Sequence, residues 1–369
     1  MGKFELGSFD KENLFLSLYL VDLMNSLTHF LSLLKQSGLN YKKNQERKKR
    51  FVTVGDILIG PWMGEVGPEL QYWIPFLNGI ARSGFFKNRR VITISRGGVQ
   101  SWYQQISSEY IELFDYIDLK EFKEIRSKAI KRNKVQKQIK FTSEEKKLIK
   151  SISNNLGIES YFTIHPSAMW DEVIPWLLEQ IPINRFTSQF DYQLLNSEEI
   201  YYKKRVDKMK LPYSFIAVNF YSNQLFPYSI QNQSFINNLI FQLSKRHKIV
   251  YLSNYSQIDE HDPFEIKSFK NIYHVGRETK IKENLGVQSE IIRRAKLYIG
   301  NSGGFSILPA FLNVPCISFY SHCSEKYFEI FSQHEKITQR IFYQLKGEYT
   351  MVNTKNWEHL NTILFKNDN

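Results

Sequence analysis

Apolar runs of strand length alternate with helical patterns along most of this chain. The clearest series lies between residues 213 and 321, where several apolar runs end in Gly or Asn. A less regular series begins at "FVTVGDILIG" (51–60). Strands that alternate with helices form parallel sheets through right-handed βαβ crossovers. The pattern therefore predicts an α/β protein with two Rossmann-like domains whose parallel sheets face each other across a cleft.

The predicted elements divide the chain into four parts. The first series has strands at 51–60, 89–98 and 161–165 and a helix at 69–84. The second series has strands at 213–222, 247–254, 270–276, 296–304 and 315–321, with helices at 232–246, 285–295 and 305–314. The resulting parts are an N-terminal helix with a basic linker (1–50), a first domain (51–210) with a basic helical insertion (120–150), a second domain (211–325), and a strand and helix (326–369) that could cross back to the first domain.

Composition adds a length limit and a charge pattern to this picture. A chain of 369 residues exceeds the usual size of one hydrophobic core, which agrees with two domains. The net charge is +12, of which residues 1–50 carry +4 and residues 120–150 carry +8. Nucleic-acid binding is not expected, because such proteins spread basic residues over a working face. Attraction to anionic lipid head groups and a solvated Lys-rich helix both remain open.

The N-terminal segment has the pattern of an amphipathic helix. Leu residues form one stripe over 14–34, while Asp22, Asn25 and His29 make the run too polar for a membrane span. With the basic run 41–50 it could lie on a membrane surface, or it could pack on the protein's own core or on a second subunit. Two cysteines in the whole chain favour a reducing compartment. We therefore expect a cytoplasmic protein, and the membrane-surface alternative would place it at the inner face of the membrane.

Glycine-rich breaks follow the predicted strands of both series. They lie at 60–67, 96–98, 219–224, 276–277 and 300–304. Ligands of open α/β sheets bind beyond the carboxyl ends of the strands, so these breaks should line the cleft. The strongest is in "YIGNSGGFSILPAFLNVP" (298–315), where a glycine pair and a predicted helix start could hold a phosphate. A tight turn with nothing bound is the alternative, and both the P-loop and GxGxxG motifs are absent.

Two stretches resemble a known enzyme group. "NSGGFSILPAFLNVP" (301–315) resembles the donor-side loop and helix of GT-B glycosyltransferases, in the heptosyltransferase-like group. "GPWMGEVGPEL" (60–70) is similar to a signature of glycosyltransferase-like proteins from bacterial surface-polysaccharide clusters. The resemblance implies metal-independent, inverting transfer of a sugar from a nucleotide sugar to a glycan or lipid-linked acceptor in lipopolysaccharide or capsule biosynthesis. No cofactor or metal is expected, and the first domain has no Asp-x-Asp motif.

The candidate site residues come from these breaks. Glu65 is the predicted base, because a carboxylate on a glycine-rich loop can accept a proton from an acceptor hydroxyl. Glu69 is predicted to cap the helix or orient the site, and His165 is an alternative acid or base, or a turn histidine with satisfied hydrogen bonds. The remaining predictions are acceptor contacts at Trp62, Gly64, Arg96 and Gly97, and donor contacts at Asn219, Tyr221, Asn223, Arg277, Gln288, Ser302, Gly303, Gly304, Phe305 and Ser306.

Two other functions fit the same fold. A nucleotide-sugar 2-epimerase would act on the donor alone and give an isomer as its product. A non-catalytic member would bind a glycan or scaffold an assembly. Turnover with donor alone separates the first alternative from a transferase, and binding without turnover would favour the second.

Overall fold

A computed structural model describes residues 55–133, 137–177, 182–195, 200–252, 258, 261–267, 269–275, 279–322 and 325–356. Within these ranges the chain forms two parallel sheets flanked by helices, which confirms the predicted α/β class. Both sheets belong to one compact unit, Gly55–Ser127 with Gln138–Asn369. The predicted N-terminal amphipathic helix and basic linker (1–50) lie outside the described residues.

The first sheet has four strands in the order β3-β2-β1-β4. Its strands are β1 (Asp56–Ile59), β2 (Val91–Ser95), β3 (Glu109–Glu112) and β4 (Tyr161–Ile164). All pairings are parallel, with Ile59 opposite Thr93 on one side and Ile164 on the other. The carboxyl ends of β1, β2 and β4 therefore bring the 60–67 loop, the Arg96–Gly98 turn and His165 to one edge.

The second sheet has six parallel strands in the order β10-β9-β8-β5-β6-β7. They are β5 (Ile216–Asn219), β6 (Ile249–Leu252), β7 (Ile272–Val275), β8 (Leu297–Asn301), β9 (Cys316–Tyr320) and β10 (Tyr349–Asn353). At the carboxyl edge, Asn219 of β5 pairs with Gly300 of β8, which pairs with Ser318 of β9. The predicted donor residues 219–223 and 301–306 are thus neighbours.

The helices agree with the sequence pattern in most places. The α-helices of eight residues or more are Ile74–Arg82, Leu119–Asn133, Ser143–Asn155, Ser167–Leu177, Ile200–Asp207, Ile230–Ser244, Asn284–Arg294 and Glu325–Gln344. The predicted helix 305–314 is instead a 3-10 turn (Gly304–Ser306) followed by a four-residue helix (Leu308–Phe311). Among the described helices, none combines the length and apolar character that a membrane span requires.

Two parts of the segment predicted as a basic helical insertion (120–150), those that lie within Gly55–Ser127 and Gln138–Asn369, pack on the first sheet. Phe122, Ile149 and Ile152 are buried against Leu58 of β1 and Ile94 of β2. A narrow apolar stripe is enough for this, because the opposite helix faces carry the lysines in water. The high local charge therefore concealed a helical layer that covers one face of the sheet.

The described helix Glu325–Gln344 of the C-terminal segment contacts the first domain. Gln71 Nε2 donates to Thr338 Oγ1 at 2.9 Å and to the His334 carbonyl at 3.2 Å. The Tyr72 hydroxyl lies 2.7 Å from His334 Nδ1. The part of the chain predicted to cross back, 326–369, thus contacts the first domain through a helix that precedes β10, and the residues beyond 356 lie outside the described ranges.

Candidate functional site

The loop after β1 packs its tryptophan inward. Trp62 is buried, and its ring stacks on Trp73 at 5.9 Å. Gly64 lies against the same ring, because a Cβ at this position would come within 2.9 Å of Trp62 Cζ2. Trp62 and Gly64 are therefore parts of the loop's internal packing. The acceptor contact predicted for Trp62 does not fit its burial.

Glu69 lies in a buried hydrogen-bond network. Its side chain and that of Arg96 have no solvent exposure, and Arg96 NH1 lies 3.2 Å from Glu69 Oε2. Ser95 Oγ and Tyr103 OH donate to Glu69 Oε1 at 2.7 and 2.6 Å. Arg96 also donates to the carbonyl of Gly64. Burial, and then the charge of Glu69, raise the pKa of Tyr103 well above its usual value.

These contacts change the roles predicted for Glu69 and Arg96. Glu69 begins the π-helical turn Glu69–Trp73, so the capping position at the start of the helical segment belongs to Glu65. Arg96 is held inside the first domain and does not present its guanidinium to an acceptor or a phosphate. Together the pair holds Gly64, the residue before the predicted base, in place.

Glu65 keeps partial solvent exposure where the loops of the two sheets meet. The helical turn Val66–Pro68 begins immediately after it. A Cβ at Gly304 would lie 2.5 Å from the backbone nitrogen of Gly67, and a Cβ at Gly67 would lie 3.2 Å from Gly304 Cα. The two glycines therefore allow direct backbone contact between the 60–67 loop and the turn after β8. Glu65, Gly303 and Gly304 are half-exposed at this junction.

The turn after β8 is held by side chains from the loop after β5. Asn301 Oδ1 accepts from the Tyr221 backbone N–H at 2.9 Å, and Asn223 Nδ2 donates to the Ser302 carbonyl at 2.7 Å. Ser306 Oγ donates to the Gly303 carbonyl at 2.7 Å. The structure thus brings Tyr221, Asn223 and residues 302–306 together, as the strand pattern predicted.

The physical reason given for a phosphate site at this turn needs correction. The prediction relied on the dipole of a helix over 305–314, but a 3-10 turn and a four-residue helix provide little dipole. Phe305 and the Ser306 side chain are buried, and Ser306 is bonded within the turn. Any anion bound here would depend on backbone N–H groups and hydroxyls of the turn.

The Gly97–Gly98 turn closes against the second domain. The backbone N–H groups of Leu285 and Gly286, in the first turn of helix Asn284–Arg294, donate to the Gly97 carbonyl at 2.9 and 3.0 Å. The Glu112 carboxylate accepts from Gly97 N and Gly98 N at 3.1 and 2.7 Å. Burial raises the pKa of Glu112, although these N–H groups act in the opposite direction. Gly97 is therefore a packing contact and not an open acceptor position.

Two predicted donor residues are buried polar groups. Asn219, at the end of β5, is 1% exposed, and its Nδ2 has no hydrogen-bond partner among the described residues. Gln288 is 2% exposed and donates to Asn284 Oδ1 at 2.8 Å. Neither side chain reaches the surface of the site, so a ribose contact by Gln288 does not fit its position. Arg277 lies outside the described residues.

His165 belongs to a second buried network. Its Nδ1 accepts from the Ser167 backbone N–H at 3.1 Å, and its Nε2 lies 3.3 Å from Glu145 Oε1. The ring stacks on Phe141 at 4.3 Å. Burial acts to raise the pKa of Glu145, but His165 and Thr142 outweigh it and bring the pKa below its usual value. Among the described residues Nε2 has no hydrogen-bond partner, so His165 is a buried turn histidine whose Nε2 faces Glu145 as an ion-pair contact only.

Several residues of the site were not predicted from the sequence. Tyr103, Glu112 and Gly286 hold the loops at the junction, yet no local motif marks them. Gly286 was detectable only as a glycine at the start of a predicted helix. Within the described ranges, no group of three His, Cys, Asp or Glu side chains is arranged to hold a metal ion.

Comparisons with known proteins give structural likeness only. No protein-family model and no curated protein matches the chain. The chain is similar to the Escherichia coli ADP-heptose lipopolysaccharide heptosyltransferase II, with 11% identity, a TM-score of 0.45, and coverage of 85% of this chain and 100% of that chain. The chain is also similar to the family 9 glycosyl transferase from Veillonella parvula. The identity is 11% and the TM-score 0.46, and the match covers 85% of this chain and 90% of that chain.

A nucleotide-sugar epimerase is also similar. The UDP-GlcNAc 2-epimerase from Methanocaldococcus jannaschii has 11% identity, a TM-score of 0.38, and coverage of 85% of this chain and 92% of that chain. The heptosyltransferase-like group that the sequence resembles is therefore among the solved structures similar to this fold. Identities and TM-scores at this level do not assign an activity, so the function is argued from the site.

Proposed function

We propose that this protein is a glycosyltransferase that moves a sugar from a nucleotide sugar to an acceptor hydroxyl, with Glu65 as the base. The observation that supports it is the junction at the carboxyl edges of two parallel sheets. There Glu65 is half-buried two residues before Gly67, whose backbone contacts the turn at Gly304, and Asn223 lies against Gly303. Among the three predicted acid or base residues, Glu69 and His165 are held in buried networks.

The proposed chemistry assigns separate tasks to the two loops. The acceptor oxygen bonds to the anomeric carbon, the bond from that carbon to the donor phosphate oxygen breaks, and Glu65 takes the hydroxyl proton. The nucleotide leaves with the bonding electrons and its phosphate charge. We assign the stabilisation of that phosphate to backbone N–H groups of the turn at Gly303–Gly304 and to the Ser302 hydroxyl. The acceptor is a glycan or a lipid-linked glycan of surface-polysaccharide biosynthesis.

Donor binding is tested by thermal stability in the presence of UDP-, GDP-, ADP- and CMP-sugars. A donor at 100 times its Kd should raise the apparent free energy of unfolding by about 2.7 kcal/mol. We expect one nucleotide class to stabilise the protein and the corresponding free nucleotide to do so as well. Stabilisation by none of them would contradict a nucleotide-sugar enzyme and favour a glycan-binding protein.

The role of Glu65 is tested by Glu65→Gln. Loss of a general base should lower kcat about 10²–10⁴-fold while donor stabilisation is retained. Glu159→Gln is the matched control, because Glu159 is an exposed glutamate before β4, at the opposite edge of the first sheet. Unchanged turnover in Glu65→Gln would exclude Glu65 as the base. Isomerised sugar from donor alone would identify an epimerase.

A further inference from the structure

The amino edge of the second sheet collects basic side chains that are scattered along the sequence. Outside residues 1–50 and 120–150 the formal charges cancel, so this segregation is invisible in the sequence. Exposed lysines precede β5, β6, β7, β8 and β10 in the chain: Lys210, Lys248, Lys270, Lys296 and Lys346. The same connections also expose Lys208, Lys245 and Arg246. Glu348, immediately before β10, is an exposed residue of the opposite charge.

Backbone hydrogen bonds show that these connections lie side by side. Lys296 N donates to the Phe215 carbonyl at 3.0 Å, and Ile216 N donates to the Lys248 carbonyl at 2.9 Å. Ile249 N donates to the Asn271 carbonyl at 2.9 Å. Strands in a sheet are about 4.8 Å apart, so the basic row spans about 24 Å across the six strands. We call this row, Lys208 to Lys346 as named above, the lysine edge.

Helix ends explain only part of this arrangement. Basic residues at a helix C-terminus complement its dipole. Five of the basic residues follow helices within two positions: Lys208, Lys245, Arg246, Lys296 and Lys346. The amino edge of the first sheet also has basic residues, but Arg90 there is paired with Asp56 and Glu109. Among the described residues, none forms an ion pair with Lys210, Lys248 or Lys296. The second sheet's edge thus keeps a net positive charge that the first sheet's edge does not.

Exposed aromatic rings stand among these lysines. Tyr213 is fully exposed just before β5, and Tyr343 is 79% exposed near the end of the helix that leads to β10. Phe241 is also exposed, and Lys245 Nζ lies 4.5 Å from its ring centroid. Tyrosine and phenylalanine beside lysine suit the interface between lipid head groups and water. Nucleic-acid sites depend more on the planar guanidinium of arginine, and here lysine predominates.

We propose that the lysine edge docks on an anionic lipid surface. Lysines near such a surface are attracted by its negative potential, and the attraction falls off within a Debye length. The exposed tyrosines would enter the head-group layer. This docking surface differs from the segments 1–50 and 120–150, and it does not depend on the proposed sugar transfer.

The test is co-sedimentation of the full chain with phosphatidylcholine vesicles, with and without phosphatidylglycerol. We expect binding only to the anionic vesicles, with strong weakening when ionic strength rises from 0.1 M to about 1 M. Combining Lys210→Gln, Lys248→Gln and Lys296→Gln should weaken that binding about tenfold or more. The matched control combines Lys87→Gln, Lys280→Gln and Lys355→Gln, which removes the same charge from exposed positions outside both the lysine edge and residues 120–150.

Three outcomes would overturn the proposal. The first is equal weakening in both triple variants, which would mean that net charge and not the lysine edge drives binding. The second is absence of binding to anionic vesicles. The third is tight binding of a short RNA or DNA that the edge variant loses while vesicle binding is unchanged. Retained thermal stability of both triple variants checks that each is folded.

Discussion

Glu69 and Arg96 form an ion pair from which water is excluded. Removing two charges from water is costly, and the pair is tolerated because further hydrogen bonds satisfy it. Ser95 and Tyr103 donate to the carboxylate, and Arg96 also donates to the Gly64 carbonyl. The network therefore couples the ends of β1 and β2 and fixes the backbone immediately before Glu65. The buried pair therefore affects the site by holding the backbone before Glu65 in position.

Breaking one partner of this pair should be strongly destabilising. Arg96→Met or Glu69→Gln alone should lower the free energy of unfolding by about 3–5 kcal/mol, because each leaves buried polar groups of its partner unsatisfied. The double variant should lose less than the sum of the two, since no lone charge remains. Urea unfolding at neutral pH measures all three. Arg90→Met, in the exposed pair with Glu109, is the control and should cost about 1 kcal/mol or less. Strict additivity would contradict the coupling.

At this scale the sequence predicted which residues end the strands but not which side chains meet. Arg96 and His165 do follow strands, whereas Glu69 lies one turn inside the helical segment that begins after Glu65. The partners of Glu69 lie 26, 27 and 34 positions away, and no local periodicity encodes such a distance. Burial of Trp62 was likewise open, because a tryptophan after a strand fits both a core and an exposed surface.

The helix Ser143–Asn155 shows how one element is tied to the site's edge. Thr142 and Glu145 form a capping box at its start. Gln138 Nε2 bridges Glu145 Oε1 and the Pro61 carbonyl at 2.7 and 3.0 Å, and Gln138 Oε1 accepts from Met63 N at 2.8 Å. The sequence predicted a helix here. It could not show that the first turn of this helix supports the loop that leads to Glu65.

This attachment should depend on pH through Glu145. Because its folded pKa is lowered, the carboxylate stabilises the fold above its unfolded pKa of about 4.3, and that stability is lost as pH falls through the folded pKa. His165→Asn removes one cause of the lowering, so acid unfolding should begin at a higher pH. Thermal unfolding between about pH 3 and 7 measures this shift. His247→Asn, at an exposed histidine, is the control. If His165→Asn begins to unfold at the same acidic pH as the wild type, His165 does not lower the pKa of Glu145.

For the molecule as a whole, three contacts join the two sheets near their carboxyl edges. Gly67 meets Gly304, the Gly97 carbonyl accepts from Leu285 N and Gly286 N, and Trp102 Nε1 donates to Ser289 Oγ at 3.0 Å. The alternating pattern predicted two such sheets and a cleft lined by glycine turns. It did not predict that these turns pack directly on one another, because close approach depends on long-range fit.

These contacts should make the two sheets unfold together. Wild-type protein should show one calorimetric transition, because neither sheet melts without losing the contacts to the other. In Gly286→Ala, the added Cβ would lie 2.5 Å from the Tyr202 ring and would collide with the Gly98 carbonyl, so the junction must open. We expect two transitions. Alanine is a better helix former than glycine by about 1 kcal/mol, so a single transition at higher temperature would show that the junction does not couple the sheets.

Gly84→Ala is the control, because its φ of +79° is strained for alanine while no atom lies within 4 Å. It should lower the transition temperature and leave the transition single.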